Sequence, residues 1–344
     1  MEDLKSDTEH ITLTRHIMAS TRDADMAILM SAIQLSCKVI TRAVRKAGIA
    51  DLYGLAGAEN ATGDDVKKLD LISDEVMCNA LLNCGVCAVL VSEEQEDPII
   101  VPESKQGKYV VAFDPLDGSS NVDCNVSTGT IFGVWEKTRP GPAVAADALD
   151  AGELLVAGYC MYGAATDLVV CFGAGTGVHR FTLDPSIGEF VHTLADMTIP
   201  ASPKTIYSAN EGNYSSWDPA IQAAVQGFKD NQPKPFTARY VGSMVSDIHR
   251  TLLYGGIYLY PADKKSPKGK LRLMYEGLPM ALLIEECGGV ASTGMFEGSV
   301  QRVLDLKPLT IHARSPIIMG NREFVERVTS LYAAGGGLKR PLPP

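Results

Sequence analysis

Lys108-Tyr-Val-Val-Ala-Phe-Asp114-Pro-Leu-Asp117-Gly-Ser-Ser-Asn121 is the stretch on which the reading of this chain turns. Residues 108–113 are mostly apolar, which predicts a buried strand ending at Asp114. Two carboxylates then stand three residues apart around Pro115, with Gly118 next. Pro and Gly at those places predict a turn just past the strand. Such a turn can aim both carboxylates and the Leu116 carbonyl at one point, an oxygen set that suits a hard cation such as Mg²⁺. Gly118, Ser119 and Ser120 offer backbone N–H groups to a phosphate. Alone, the string is equally an exposed Asx-turn.

The residues upstream favour the metal reading. Residues 86–92 form a nearly unbroken apolar run, a second buried strand, and it ends in Glu93 and Glu94. Adjacent strands of an α/β sheet present their carboxyl ends at one crevice. Acids at two such ends converge, repel and raise each other's pKa unless divalent cations separate them. Phosphate monoesters need that help, since enzymes accelerate their hydrolysis by up to ~10²¹-fold. A metal pair about 3.5–4 Å apart clamps the attacking and leaving oxygens and makes a hydroxide from water at neutral pH.

Elsewhere the pattern alternates. Met26, Leu29, Met30, Ile33, Cys37, Ile40 and Val44 fall at helical spacing, with Gly48 following. Residues 50–63 read as a loop able to act as a mobile lid, and residues 66–83 as a second helix. Strands are expected at 130–135, 153–163, 167–172 and 177–183, with a surface loop at 137–152. Further on come helices at 218–229, 243–254 and 279–287, strands at 257–260 and 317–319, and a last helix capped by Asn321. This predicts a layered α/β fold, divided into residues 1–198 and 199–334, with a loose tail at 335–344. Length agrees, since 344 residues make roughly two domains of ~150 each.

The formal charge of -10 argues against a nucleic-acid backbone as partner. No continuous apolar run approaches the ~18 residues of a membrane span, and the acidic start is no secretory signal. Eight scattered cysteines suit a reducing compartment. The Cys84-Gly-Val-Cys87 spacing reads as a helix end, a glycine cap and a strand start, because no second ligand pair accompanies it.

These motifs resemble the lithium-sensitive, metal-dependent sugar and inositol phosphatases, and within them the fructose-1,6-bisphosphatase family. The likeness extends along nearly the whole chain, through Val44-Arg-Lys-Ala-Gly-Ile49, Val66-Lys-Lys-Leu-Asp70, Asn210-Glu-Gly212, Arg239-Tyr-Val-Gly-Ser-Met244, Tyr258-Leu-Tyr-Pro-Ala262 and Lys264-Lys-Ser-Pro-Lys-Gly-Lys-Leu-Arg272. It implies an alternating α-β-α-β-α sandwich, with an N-terminal domain carrying the metal-site acids and a C-terminal domain for the sugar phosphate. It implies Mg²⁺-dependent hydrolysis of a 1-phosphate, with Mn²⁺ or Zn²⁺ as alternative ions, in gluconeogenesis or in sucrose and starch synthesis.

Glu93, Asp114, Asp117, Glu276 and the Leu116 carbonyl would hold two or three ions. Asp70 and Glu94 would orient and deprotonate the attacking water. The departing phosphate would lie over Gly118, Ser119 and Ser120. Asn210, Tyr240, Tyr260 and Lys270 would bind the 6-phosphate and the sugar, with Met244 alongside. Arg239 would reach in from a neighbouring subunit, which implies a homo-oligomer and, in this family, a homotetramer. Asn60 and Asp64 would belong to a loop that closes over the metals. Taken without the family, Asp70 and Glu276 read as first-turn helix acids, and Tyr240 and Tyr260 as core aromatics. The run of cations from Lys264 to Arg272 reads as a solvated loop that also makes a phosphate cradle.

The chain also departs from the family. Many members bind AMP at a turn before the first long helix, helped by a Lys-Tyr pair and a distant Arg. Lys108 and Tyr109 are present, but the turn is shorter and adds Asp23 and Asp25, and Glu136 stands where the Arg belongs. The expectation is weak or absent AMP inhibition. The loop 137–152 lacks cysteine, so no thioredoxin switch is expected by that route. The compartment expected is the cytoplasm, or the plastid stroma if a presequence is removed. Asn213 stands where the family has a Tyr, so either Tyr214 substitutes after a shift or 6-phosphate binding is weaker. Sedoheptulose-1,7-bisphosphatase is the alternative activity, and a catalytically silent sugar-phosphate sensor is the alternative class. No G-x-G-x-x-G follows a predicted strand, which disfavours an oxidoreductase.

Overall fold

Alternation along the strand of residues 109–117 sets the layering. The computed structural model describes residues 11–21, 23–50, 52–59 and 65–334. In it, Tyr109, Val111 and Phe113 face one apolar cluster while Val110 and Ala112 face another. A strand buried on both faces needs a layer on each side. Its sheet has eight strands: β3 (Cys87–Ser92), β4 (Ile99–Ile100), β5 (Tyr109–Asp117), β6 (Thr128–Glu136), β7 (Leu154–Tyr162), β8 (Thr166–Cys171), β9 (Val178–Asp184) and β10 (Glu189–Leu194), in the order β10-β9-β8-β7-β6-β5-β3-β4. Before them in the chain, β1 (Leu55–Glu59) and β2 (Asp65–Lys67) form a small antiparallel ribbon.

Helices α1 (Leu13–Ser20), α2 (Ala24–Lys46) and α3 (Lys68–Asn83) cover one face of the large sheet. The other face packs on α5 (Met244–Tyr254) and α6 (Leu278–Glu286). That same cluster takes in Tyr258, Ala291, Ile317 and Met319 of a second, six-stranded sheet. Its strands are β11 (Ile206–Ala209), β12 (Thr237–Ala238), β13 (Ile257–Tyr260), β15 (Val290–Phe296), β16 (Ser299–Arg302) and β18 (Ile317–Gly320), ordered β12-β11-β13-β18-β15-β16. Its far face carries α4 (Pro219–Lys229) and α7 (Arg322–Ala334) through Ile221, Val225, Phe228, Val325 and Val328. A two-stranded ribbon of β14 (Leu271–Arg272) and β17 (Arg314–Ser315) completes the elements. The five layers run helix, sheet, helix, sheet, helix, as the α-β-α-β-α expectation has it. Fully buried Tyr109, Phe113, Phe132 and Phe181 each contribute about 1.5–3 kcal/mol of burial.

The structure also corrects the sequence reading. Helix α3 begins at Lys68, because Asp65–Lys67 is taken by the ribbon, and part of the supposed lid loop is strand β1. The lid residues Asn60 and Asp64, and the tail 335–344, lie outside the described residues. Helix α1 and strand β10 went unread; both are short, and β10 is the edge strand, paired with β9 and bridged to the start of α1. The Asn321 side chain does not cap α7; its oxygen accepts from Gly256 N and its amide donates to Pro200 O. Helix α2 is the described helix long and apolar enough to cross a membrane. Searching for unbroken apolar runs overlooked it, but its Leu29, Met30, Ile33, Cys37 and Ile40 are buried in the core. The Cys84–Cys87 region is as expected: α3 ends at Asn83, Gly85 takes φ +79°, and β3 starts at Cys87.

Candidate active site

The expected turn at Pro115 is a β-bulge instead. Strand β5 continues to Asp117, and against β6 Asp114 pairs with Ile131 while Asp117 pairs with Gly129. Pro115 and Leu116 therefore share the single partner Thr130, whose hydroxyl donates to the Pro115 carbonyl at 2.8 Å. Pro115 has no N–H to give the ladder, so the ladder breaks there. The bulge has a chemical result. Residues three apart on a regular strand point to opposite faces. The extra residue returns Asp117 to the side of Asp114. The turn proper begins at Gly118, whose φ of +73° leads into a short 3₁₀ turn over Ser119–Cys124.

Other elements bring further acids to the same place. Strands β3 and β5 are parallel, with Ser92 opposite Phe113, and Glu93 N donates to Phe113 O at 3.2 Å. Glu93 therefore follows its strand beside Asp114, while Glu94 is half-buried next to it. Glu276 does not start an α-helix; it sits in a π turn, Leu273–Gly277, that precedes α6. Its carboxylate accepts from Arg272 N at 2.6 Å. Asp70, in the first turn of α3, accepts from Lys67 N at 2.7 Å and from the Ser119 hydroxyl.

Asp114, Asp117 and Glu276 each place a carboxylate oxygen within 4.8 Å of the other two. All three are buried, as are Asp70 and Glu93. Burial, then Glu93, Asp117 and Glu276, holds the Asp114 carboxyl well above the usual range. Burial raises Glu276 to about 8 against the opposing pull of Arg272. Burial likewise raises Asp70 and Asp117 to about 6, although hydrogen bonds oppose it in both. The Arg272 guanidinium answers part of this charge, 2.7 Å from Glu93 and 3.9 Å from Glu276. Carboxyls that burial and mutual repulsion keep from ionising, with all-oxygen donors, fit hard divalent cations.

Two models of the fructose-1,6-bisphosphatase family match, the N-terminal domain over residues 10–195 and the C-terminal domain over residues 199–333. The chain belongs to this family. It is 51% identical over 335 residues to "Fructose-1,6-bisphosphatase, cytosolic" of Arabidopsis thaliana, covering 95% of this chain and 96% of that protein. The cytosolic enzyme of a Saccharum hybrid is 50% identical over 335 residues, covering 95% of each. Among solved structures, Leishmania major fructose-1,6-bisphosphatase in holo form superposes with a TM-score of 0.88 at 42% identity, covering 94% of this chain and 99% of that one.

The residues that the family resemblance singled out fall in several settings. The Asp117 carboxylate accepts from Ser243 Oγ at 2.7 Å, Val245 N at 3.0 Å and Met244 N at 3.2 Å. A strand-end acid of the first sheet thus sits on the N-terminus of α5, where the helix dipole favours negative charge. Met244 is buried there. Asn121 Nδ2 donates to Gly242 O at 3.2 Å, which joins the 3₁₀ turn to the loop carrying Tyr240. Tyr240 is exposed and Tyr260 half-buried; partial burial of the Tyr240 ring, then the nearby Tyr260, raise the Tyr240 phenol above its usual pKa. Lys270 and Arg239 are exposed. Asn210 opens a 3₁₀ turn, with its side chain accepting from Gly212 N. Tyr214 is engaged elsewhere: its hydroxyl donates to Gln222 O at 3.4 Å and its ring meets Trp217. The cation run also divides, with its lysines exposed and Arg272 turned inward among the acids.

Lys108 and Tyr109 meet the chain itself. Lys108 Nζ and Tyr109 OH each lie 2.8 Å from Asp23 Oδ2. The same aspartate caps α2, accepting from Asp25 N and Met26 N. Its carboxyl is held down to about 2, first by Lys108.

Sequence reasoning overlooked two supports of the site. Asp74 accepts from Ser92 Oγ at 2.6 Å and Gln95 Nε2 at 2.5 Å, so it clamps the turn carrying Glu93 and Glu94. Asp247, fully buried, accepts from Val241 N, Gly242 N and Arg250, so it fixes the Tyr240 loop. Both read as ordinary helix acids; their one sequence signal is a carboxylate on the apolar side of its helix.

Proposed function

We propose that the chain hydrolyses the 1-phosphate of fructose 1,6-bisphosphate, giving fructose 6-phosphate and inorganic phosphate, and that it needs Mg²⁺. The convergence of Asp114, Asp117 and Glu276 beside Glu93 carries this reading. Glu93, Asp114, Asp117, Glu276 and the Leu116 carbonyl would hold the ions. When bound, the ions supply Lewis-acid stabilisation of the attacking and leaving oxygens.

The rest falls to the chain's own groups. Asp70 and Glu94 orient the attacking water and accept its proton as the oxygen bonds to phosphorus and the bond to the sugar oxygen breaks. A carboxyl raised to about 6 is a better general base near neutrality than an ordinary aspartate. Ser119 and Ser120 cover the phosphoryl group, with Gly118 allowing the backbone to turn beneath it. Asn210, Tyr240, Met244, Tyr260 and Lys270 receive the sugar and its 6-phosphate. Arg239 of a second copy completes that phosphate site in a homotetramer; its exposure on this chain supports such a role. With Tyr214 engaged by Gln222 and Trp217, Asn213 gives weaker 6-phosphate binding than a tyrosine there would.

The reading divides the chain at residue 198 into a metal-bearing and a sugar-binding unit, and assigns it to the cytosol, as for the relatives named above. It includes weak or absent AMP inhibition, supported by the Asp23 carboxylate on Lys108 and Tyr109. The deciding assay is phosphate release from fructose 1,6-bisphosphate with and without Mg²⁺, with Asp117→Ala as control. Mg²⁺-dependent turnover lost in the variant is expected. Absence of turnover in the wild type, with turnover of sedoheptulose 1,7-bisphosphate, would refute the substrate assignment.

A further inference from the structure

Three imidazoles from three elements meet at the far edge of the eight-stranded sheet, on elements that carry none of the active-site acids. His16 lies on α1, His179 on β9 and His192 on β10. Their ring centroids are 4.4 Å (His16–His179), 5.1 Å (His16–His192) and 5.3 Å (His179–His192) apart. The register explains the grouping. His192 pairs with Phe181 across the ladder, and His179, two residues from Phe181, shares its face. Helix α1 is laid over that face by the Thr12–Val191 bridge and by His192 N donating to Ile11 O at 2.8 Å.

One nitrogen from each ring lies within 4.8 Å of the others. His179 Nδ1 is buried and has no hydrogen-bond partner among the described residues. Buried ring nitrogens are seldom left so. A carboxylate stands close by, since a Cβ on Gly177 would meet Asp196 Oδ1 at 2.7 Å and His179 Nε2 at 3.7 Å. Asp196 also takes a left-handed φ of +44°. Burial and the other two imidazoles push the His16 pKa down to about 4, so that ring is uncharged at neutral pH, the form that ligates a metal; its Nε2 lies 3.3 Å from the exposed Ser20 hydroxyl, a contact that an ion would replace or leave on the outer nitrogen.

We infer that His16, His179 and His192 form a second cation site, with the Asp196 carboxylate nearby, selective for a borderline transition ion of the Zn²⁺ class. Three imidazoles, with an open fourth position, suit Zn²⁺, Co²⁺ or Cu²⁺ and are poor ligands for Mg²⁺. Tetrahedral Zn–N bonds of about 2.0–2.1 Å set the nitrogens closer than 4.8 Å, and imidazole rotation closes that gap. The ion would clamp α1 onto β9 and β10.

The test uses metal-free full-length protein with Mg²⁺ in excess to fill the oxygen sites, titrated with Zn²⁺ by calorimetry and with Co²⁺ by visible absorption. Expected are one equivalent of Zn²⁺ bound to the wild type beyond any taken by the oxygen sites, and a four-coordinate, nitrogen-ligated Co²⁺ spectrum. His16→Gln and His192→Gln should each lose that equivalent while keeping the far-ultraviolet circular dichroism of the wild type. Retention of the equivalent in both variants would overturn the site. So would a wild-type Co²⁺ spectrum showing oxygen ligation alone, a reading that does not depend on any variant folding.

Discussion

Arg272 is the residue that keeps five buried carboxyls tolerable in one place. Its guanidinium touches Glu93 and lies near Glu276, and its N–H caps the Glu276 carboxylate. Removing a buried partner strands the charge it faced, at about 3–5 kcal/mol. Arg272→Met should therefore lose about that much stability without divalent ions and recover much of it with Mg²⁺. Urea unfolding under both conditions measures this, and an equal loss in each would show that the arginine acts by packing alone. Sequence reading located the acids because Asp-x-x-Asp-Gly and Glu-Glu follow apolar runs. It put Arg272 with the exposed lysines of its own run, since nothing local separates a charge turned inward from one turned outward. The signal exists only once the π turn places Glu276 beside it.

At the scale of elements, the strands were legible in their cores and the joints were not. Apolar runs gave β3, β5 and β6 to within a few residues. The bulge escaped because Pro115 suits a turn and a bulge equally, and only pairing with Thr130 distinguishes them. Gly118 has two reasons to be glycine: a φ of +73°, and a Cβ that would lie 2.7 Å from Ser243 Cβ. An alanine there costs about 1–2 kcal/mol in conformation alone and pushes Asp117 off α5. Gly118→Ala should weaken Mg²⁺ activation as well as stability; a kinetic titration with unchanged Mg²⁺ dependence would count against the coupling. At the start of α2, Asp23→Ala should cost about 0.5–2 kcal/mol through the lost cap. It should also make AMP a better inhibitor by freeing Lys108 and Tyr109. An inhibition curve no steeper than that of the wild type would argue that Asp25 and Glu136 suffice to repel the phosphate.

The whole molecule shows the same chemistry as a pH dependence. Asp70 and Asp117 near 6 and Glu276 near 8 hold protons in the folded, metal-free state that they release when unfolded. Their raised values mean that stability falls as pH climbs from about 4 through 8. Asp23, lowered to about 2, acts with the opposite sign and only below about pH 4. Added Mg²⁺ should therefore raise the melting temperature more near pH 8 than near pH 5.5, and a gain independent of pH in thermal scans would contradict this. The layers were legible as a family expectation; the sharing of one apolar cluster by both sheets was not, because it depends on contacts between residues far apart in sequence. That sharing gives the cation site a mechanical meaning. Asp114 and Glu93 ride on the first sheet, while Asp117 is held by a helix of the middle layer. The spacing of the acids is thus a gauge of how the layers are seated. Linkage makes the gauge reversible: an ion that prefers one spacing pulls the layers toward that seating, and whatever shifts the layers retunes the ion's affinity by the same free energy.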